Sequence, residues 1–127
     1  MNPKLIILVE NDLNLRQSIA LILLRAGYFV TSTDCGFKAM NIIQAGNFHL
    51  LIADINNPDT REILMPKVHV MYPDLSIVIL TDQASSEIEK EGKLLSAHYL
   101  IKPIAPERLL DCVGTIMGNQ NNAEKQT

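Results

Sequence analysis

Cysteine is scarce, long apolar runs are missing and basic residues are outnumbered, and each shortage removes a class of protein. Cys35 and Cys112 stand 77 residues apart, with no CxxC pair and no histidine at ligand spacing. Neither a disulfide framework nor a cysteine-based metal site is indicated, and both read as small apolar fillers. The longest wholly apolar stretches, Leu5 to Val9 and Ile19 to Leu24, fall far short of the about 20 residues a membrane-spanning helix needs. Eleven Lys and Arg against fourteen Asp and Glu give a net charge of -3, without the positive field that dominates affinity for nucleic acid or anionic lipid. Direct nucleic-acid or membrane binding by this domain is not expected. The opening segment, one Lys followed by Leu5 to Val9 and then Glu10-Asn11-Asp12, is too brief for a secretory signal and lacks a small-residue cleavage site. A cytoplasmic location is the expectation.

At 127 residues, 47% hydrophobic and 20% charged, the chain suits one domain with a sizeable core. Apolar runs at Lys4 to Val9, Tyr28 to Thr31, His49 to Ala53, Ser76 to Leu80 and Tyr99 to Ile101 predict five strands. Their near-continuous hydrophobicity suits a parallel sheet covered on both faces. Leu15, Ile19, Ile22, Leu23 and Ala26 form one helical stripe that Asp12 or Asn14 can cap and Gly27 can end. A second helix around Phe37 to Ile43 closes at Gly46, and a fourth starts at Ser86, with Glu89 at capping-box spacing. The last runs from Pro106 to Gly118. In the third connection, Pro66 would break a helix begun at Asp59, so a loop or single turn precedes a short helix from about Pro66 to Tyr72. The expected fold is α/β, a doubly wound five-stranded parallel sheet of order 2-1-3-4-5 in a flavodoxin-like three-layer sandwich. Residues 1–118 form the domain, and the polar stretch 119–127 is a tail or the start of a linker.

In such a fold the ligand site lies at the carboxyl ends of the strands. There the chain carries Glu10-Asn11-Asp12, Asp54-Ile55-Asn56, Thr81-Asp82 and Lys102-Pro103. Each residue alone has an ordinary reading, as a cap, turn residue or solvated charge. Two carboxylates, a hydroxyl and an amine converging on one edge are harder to dismiss. A glycine-rich phosphate loop is absent after the first strand, and the acidic segment there would repel a preformed phosphate. Clustered carboxylates favour a hard cation such as Mg²⁺, with Asp54 as nucleophile and Thr81 and Lys102 binding phosphoryl oxygens. His49, His69 and His98 share no ligand spacing and read as surface or strand-edge residues.

These segments resemble the receiver domain of two-component response regulators, over residues 4 to 118. Leu8-Val9-Glu10-Asn11-Asp12 is similar to its acidic first-strand motif, and Leu51-Ile52-Ala53-Asp54-Ile55-Asn56-Asn57-Pro58 to the segment bearing its phosphorylated aspartate. Ile77-Val78-Ile79-Leu80-Thr81 and Tyr99-Leu100-Ile101-Lys102-Pro103 complete the pattern, at intervals of 27 and 21 residues between Asp54, Thr81 and Lys102. The resemblance implies that Asp54 accepts a phosphoryl group from a histidine kinase or phosphotransfer protein. It also implies that Glu10, Asn11, Asp54 and the backbone carbonyl of Asn56 surround Mg²⁺. Lys102 and Thr81 would contact the phosphoryl group, and Tyr99 would change rotamer as Thr81 moves. Helix 4, strand 5 and helix 5 would form a face for a homodimer or output domain, and Lys102-Pro103 would be cis.

The chain also departs from that pattern. Asn11 replaces an acidic residue, so Mg²⁺ should be held less tightly. Asp82 stands where the family prefers Ala, Gly or Ser, and would either hinder phosphoryl access or restore part of the missing charge. Pro66, the lack of a glycine after Pro58, and Ala105 at a helix cap also depart from the pattern. The rival reading is a pseudo-receiver, an interaction module of the same fold that is not phosphorylated. A rival of another class is an aspartate-dependent hydrolase, which needs a second acidic group where this chain has Asn56.

Overall fold

Five parallel strands pair in the order β2-β1-β3-β4-β5, as the expected topology requires: β1 (Leu5–Val9), β2 (Phe29–Thr33), β3 (Leu50–Asp54), β4 (Ser76–Thr81) and β5 (His98–Ile101). The computed structural model describes residues 3–125. Five helices connect and cover the strands: α1 (Leu13–Arg25), α2 (Gly36–Ala45), α3 (Met65–Met71), α4 (Ser86–Leu94) and α5 (Pro106–Lys125). Alternate strand residues feed two cores. Ile7, Val9, Leu51, Ala53, Ile77 and Ile79 pack with Ala39, Ile43, Met65, Val68 and Ile88 of α2, α3 and α4. Ile6, Leu8, Leu50, Ile52, Val78 and Leu80 pack with Ile19, Leu23, Leu109 and Val113 of α1 and α5. The period-two alternation of side chains explains why central strands read as unbroken apolar runs: both faces are buried.

Strand limits differ by one or two residues from those read in the sequence, most at β2, which runs to Thr33. Asp12, and not Asn14, caps α1: its Oδ1 accepts from the Leu15 N–H at 2.9 Å. Gly27 follows with φ of +99°, a left-handed conformation that favours glycine. The cap of α4 is Ser85 rather than Ser86, its Oγ accepting from the Ile88 N–H at 3.1 Å, so Glu89 falls outside a capping box.

The third connection has the single turn and short helix expected, to within a residue, and differs in the kind of turn. A π-type turn at Thr60–Leu64 leads directly into α3 with no intervening loop. The Met65 N–H donates to the Thr60 carbonyl, five residues back. This widened turn places Pro66 in the first turn of α3, where its missing donor is not needed and the clash expected with Glu62 is relieved. Asp59 makes no side-chain bond into its own helix; its Oδ2 accepts from the Gly36 N–H at 2.8 Å and so caps α2. Gly36 is required by close approach, because a Cβ there would lie 3.1 Å from the Thr60 nitrogen.

The expected helix end at Gly118 is also corrected: α5 continues to Lys125. A glycine costs a helix interior only about 1 kcal/mol relative to Ala, and no proline follows it to stop the chain. Of the stretch read as a tail or linker, residues 126–127 lie outside the described residues.

Candidate functional site

The strand register brings three charged side chains together at the carboxyl edge. Asp54 ends β3 opposite Leu80 of β4, Glu10 follows β1 and donates its N–H to Thr33 at 3.1 Å, and Lys102 follows β5 with its N–H on the Thr81 carbonyl at 2.8 Å. Glu10 and Asp54 are buried residues, 1% and 6% exposed. The Lys102 ammonium lies between them, 2.8 Å from Glu10 Oε1 and 3.1 Å from Asp54 Oδ2. Its burial works against the charged form, but the two carboxylates outweigh that effect and hold its pKa above the ordinary lysine value. The cis peptide expected at Lys102-Pro103 is present.

Backbone amides fix the outer carboxylate oxygens. Asp54 Oδ1 accepts from the Asn56 N–H at 2.9 Å, and Glu10 Oε2 accepts from the Asp12 N–H at 3.1 Å. Glu10 Oε1 is buried and has no aligned hydrogen-bond donor, so its interaction with Lys102 is an ion pair without hydrogen-bond geometry. Asn11 is exposed beside Glu10 in the β1–α1 connection.

Sequence reasoning missed Arg16. Its guanidinium donates to the Glu10 carbonyl at 2.7 Å and reaches that of Asn11 at 3.4 Å, which ties the acidic loop to the first turn of α1. The signal was available, since Arg16 lies four residues after Asp12 and one helical turn brings it back over that loop.

The hydroxyls of Thr81 and Tyr99 bond outside the charged trio. Thr81 is buried, but its hydroxyl donates to the Gln83 carbonyl at 3.1 Å. Tyr99 is half-buried, with its hydroxyl 3.5 Å from Glu89 Oε1. Asp82 is hydrogen-bonded across the edge: its Oδ2 accepts from Asn56 Nδ2 at 2.8 Å. Among the histidines, His49 has the strand-edge role expected, its Nδ1 accepting from the Leu5 N–H at 3.0 Å.

A divalent cation is tested by the donor set. Among the described residues no three His, Cys, Asp or Glu side chains gather as a metal site. The available oxygens are two buried carboxylates, an exposed amide and a backbone carbonyl. This is a hard, oxygen-only set, and Glu10 Oε1 lacks an aligned donor. That chemistry fits Mg²⁺, with one fewer charge than a site holding three carboxylates.

Comparison with known proteins agrees with the geometry. Residues 6–114 match the family model of the response regulator receiver domain. The response regulator receiver protein CpdR of Brucella abortus is 32% identical over 111 residues, covering 82% of this chain and 92% of CpdR. The response regulator protein FleR of Pseudomonas aeruginosa is 30% identical, and there the match covers 85% of this chain but only 23% of FleR. The solved structure of the Vibrio cholerae chemotaxis protein CheY4 superposes with a TM-score of 0.84 at 28% identity, covering 91% of this chain and 99% of that one.

Proposed function

The chain belongs to the response regulator receiver domain family, and we propose that it is a phosphorylation-controlled switch whose phosphoacceptor is Asp54. The observation that carries this reading is the Lys102 ammonium held 3.1 Å from Asp54 Oδ2 on a buried carboxylate at the end of the central strand. A carboxylate oxygen of Asp54 forms a bond to phosphorus as the donor's bond to phosphorus breaks. With a phosphohistidine donor, the electron pair of the P–N bond passes to the imidazole, which takes a proton from water.

The residues of the cleft divide this work. Lys102 can follow the charge from the Asp54 carboxylate to a phosphoryl oxygen, because it already bridges two anions and stays protonated. Glu10, Asn11, Asp54 and the Asn56 backbone carbonyl would hold Mg²⁺, which supplies charge neutralisation for the transferring group. Thr81 would give up its bond to Gln83 for a phosphoryl oxygen, and half-buried Tyr99 would turn into the space released. The affected face comprises α4, β5 and α5, and would dock a homodimer partner or an output domain. A histidine kinase or phosphotransfer protein is the proposed donor, in the cytoplasm.

Intact-mass measurement after incubation with acetyl phosphate and Mg²⁺ tests the assignment. One phosphoryl adduct is expected, absent in Asp54→Asn; an adduct retained in that variant and mapped to Glu10, Asp12 or Asp82 refutes it. A pseudo-receiver is favoured by Asn11 and by the Asp82 carboxylate at the edge of the site. It predicts no adduct on the parent protein.

A further inference from the structure

Asn56 and Asp82 occupy equivalent places in the connections that follow the neighbouring strands β3 and β4. Asp54 pairs with Leu80 at the end of the β3–β4 ladder, and the Ile55 N–H donates to the Leu80 carbonyl at 2.9 Å. Two residues beyond that pair in each chain segment, past the strand ends, stand Asn56 and Asp82, and their side chains meet at 2.8 Å. Asn56 also holds Asp54 Oδ1 through its backbone N–H. It therefore links the carboxylate of the site to the carboxylate at its mouth.

The β4–α4 connection carries a second closing contact in the adjoining residue. The Thr81 hydroxyl donates to Gln83, across Asp82. Two hydrogen bonds thus hold residues 81–83 in one conformation, and one of them reaches across to the loop after β3. We propose that the Asn56–Asp82 hydrogen bond is a latch that must open before a phosphoryl donor reaches Asp54, so that Asp82 is a positioning residue governing the rate of uptake. The inference rests on Asp54 being the acceptor, and adds a residue that controls access to it. Both partners are exposed, which limits the strength of the bond, and its loss should change the rate by about threefold to tenfold.

Three variants separate bond, charge and bulk. Asp82→Ala removes the acceptor and the charge. Asn56→Ala removes only the donor, leaving the Asp82 charge in place. Asp82→Asn removes the charge but keeps an oxygen that can accept from Asn56. Transfer from acetyl phosphate with Mg²⁺, in which the P–O bond breaks and acetate leaves with the electron pair, is followed by intact mass. Amide hydrogen exchange at residues 81–84 is measured without donor or metal. The latch predicts faster uptake and faster exchange in Asp82→Ala and Asn56→Ala, with Asp82→Asn close to the parent. Equal rates in Asp82→Asn and Asp82→Ala would mean that charge alone acts, and would overturn it. Unchanged uptake in Asn56→Ala would overturn it equally, while Asp54 would remain the acceptor. Absence of an adduct in every protein, parent included, would instead refute the acceptor reading itself, and the latch with it.

Discussion

Replacing Lys102 by methionine keeps most of the aliphatic stem and removes the charge, so it isolates the ammonium's contribution. In the parent that ammonium neutralises two carboxylates, of Glu10 and Asp54, whose side chains are 1% and 8% exposed. At separations near 3 Å and an effective dielectric of about 20, each pair gains about 5 kcal/mol of gross attraction. Most of that offsets the cost of taking three charges out of water. The variant loses the attraction and keeps the cost, with two like charges now enclosed together. Breaking a fully buried pair typically costs 3–5 kcal/mol. The Lys102 side chain is 17% exposed, so water can partly replace it, and a loss of about 2 to 4 kcal/mol is expected.

Urea denaturation at neutral pH in a chelator measures the loss as a fall in midpoint of about 1 to 2 M, for a slope of about 2 kcal/mol per molar. Added Mg²⁺ should recover more stability in Lys102→Met than in the parent, because the cation replaces the missing positive charge. The alkaline limb has the opposite sense. The ammonium's folded pKa lies above the ordinary 10.5, so its stabilisation is complete below 10.5 and is lost as the pH rises through the raised folded value. The parent should lose stability in that window and the variant should not lose that increment. A midpoint within 0.2 M of the parent's, about 0.4 kcal/mol at that slope, together with identical Mg²⁺ responses, would refute the electrostatic account of the cleft.

Two further outcomes follow from the residues around this cleft. Asn11→Asp should raise Mg²⁺ affinity by about tenfold by adding a carboxylate to the donor set, read by calorimetric titration; equal or weaker binding would remove Asn11 from that set. Asp59→Ala should cost about 1 kcal/mol by uncapping α2 at Gly36, with faster amide exchange confined to the first turn of α2. Loss of exchange protection in α3 alone would show that Asp59 serves its own helix instead.

Local signals carried most of the fold into the sequence. The runs of β1, β3 and β4 were legible because a strand buried on both faces cannot afford polar residues, and the strand ends were legible because polarity returns there abruptly. That placed Glu10, Asp54 and Lys102 on one edge before any distance was known. What stayed hidden was non-local. Asp59 has the spacing of a cap for its own helix, yet its carboxylate serves Gly36, which lies 23 residues earlier in the chain. Pro66 looked like a helix breaker because the α register was assumed, whereas a wider turn shifts each donor by one residue and leaves the ring free. Gly118 looked like a helix end because glycine often is one, but a stop also needs a competing conformation, and none is encoded in Asn119-Gln120-Asn121. Arg16 was overlooked because a charge on a helix reads as solvated unless the loop behind it is considered.

The charges of the cleft explain why Asn11 and Asp82 need not act in the same direction. Glu10 and Asp54 against Lys102 leave the enclosed part of the site one negative charge in excess. An acid in place of exposed Asn11 would add a further negative charge at the rim of that part, which would favour a divalent cation and oppose an incoming phosphoryl anion. On the proposed reading, the asparagine would weaken metal binding and lower the repulsion that a phosphoryl group meets beside Asp54. Asp82 returns a negative charge at another exposed position, on a carboxylate committed to Asn56. There solvent would screen its effect on the proposed metal ligands, while an anionic donor approaching Asp54 would still meet it. Position 82 thus carries the acid that position 11 lacks, and on the proposed reading this would set the charge beside Asn56, where it bears on access to Asp54, and not beside Glu10, where it would bear on the metal.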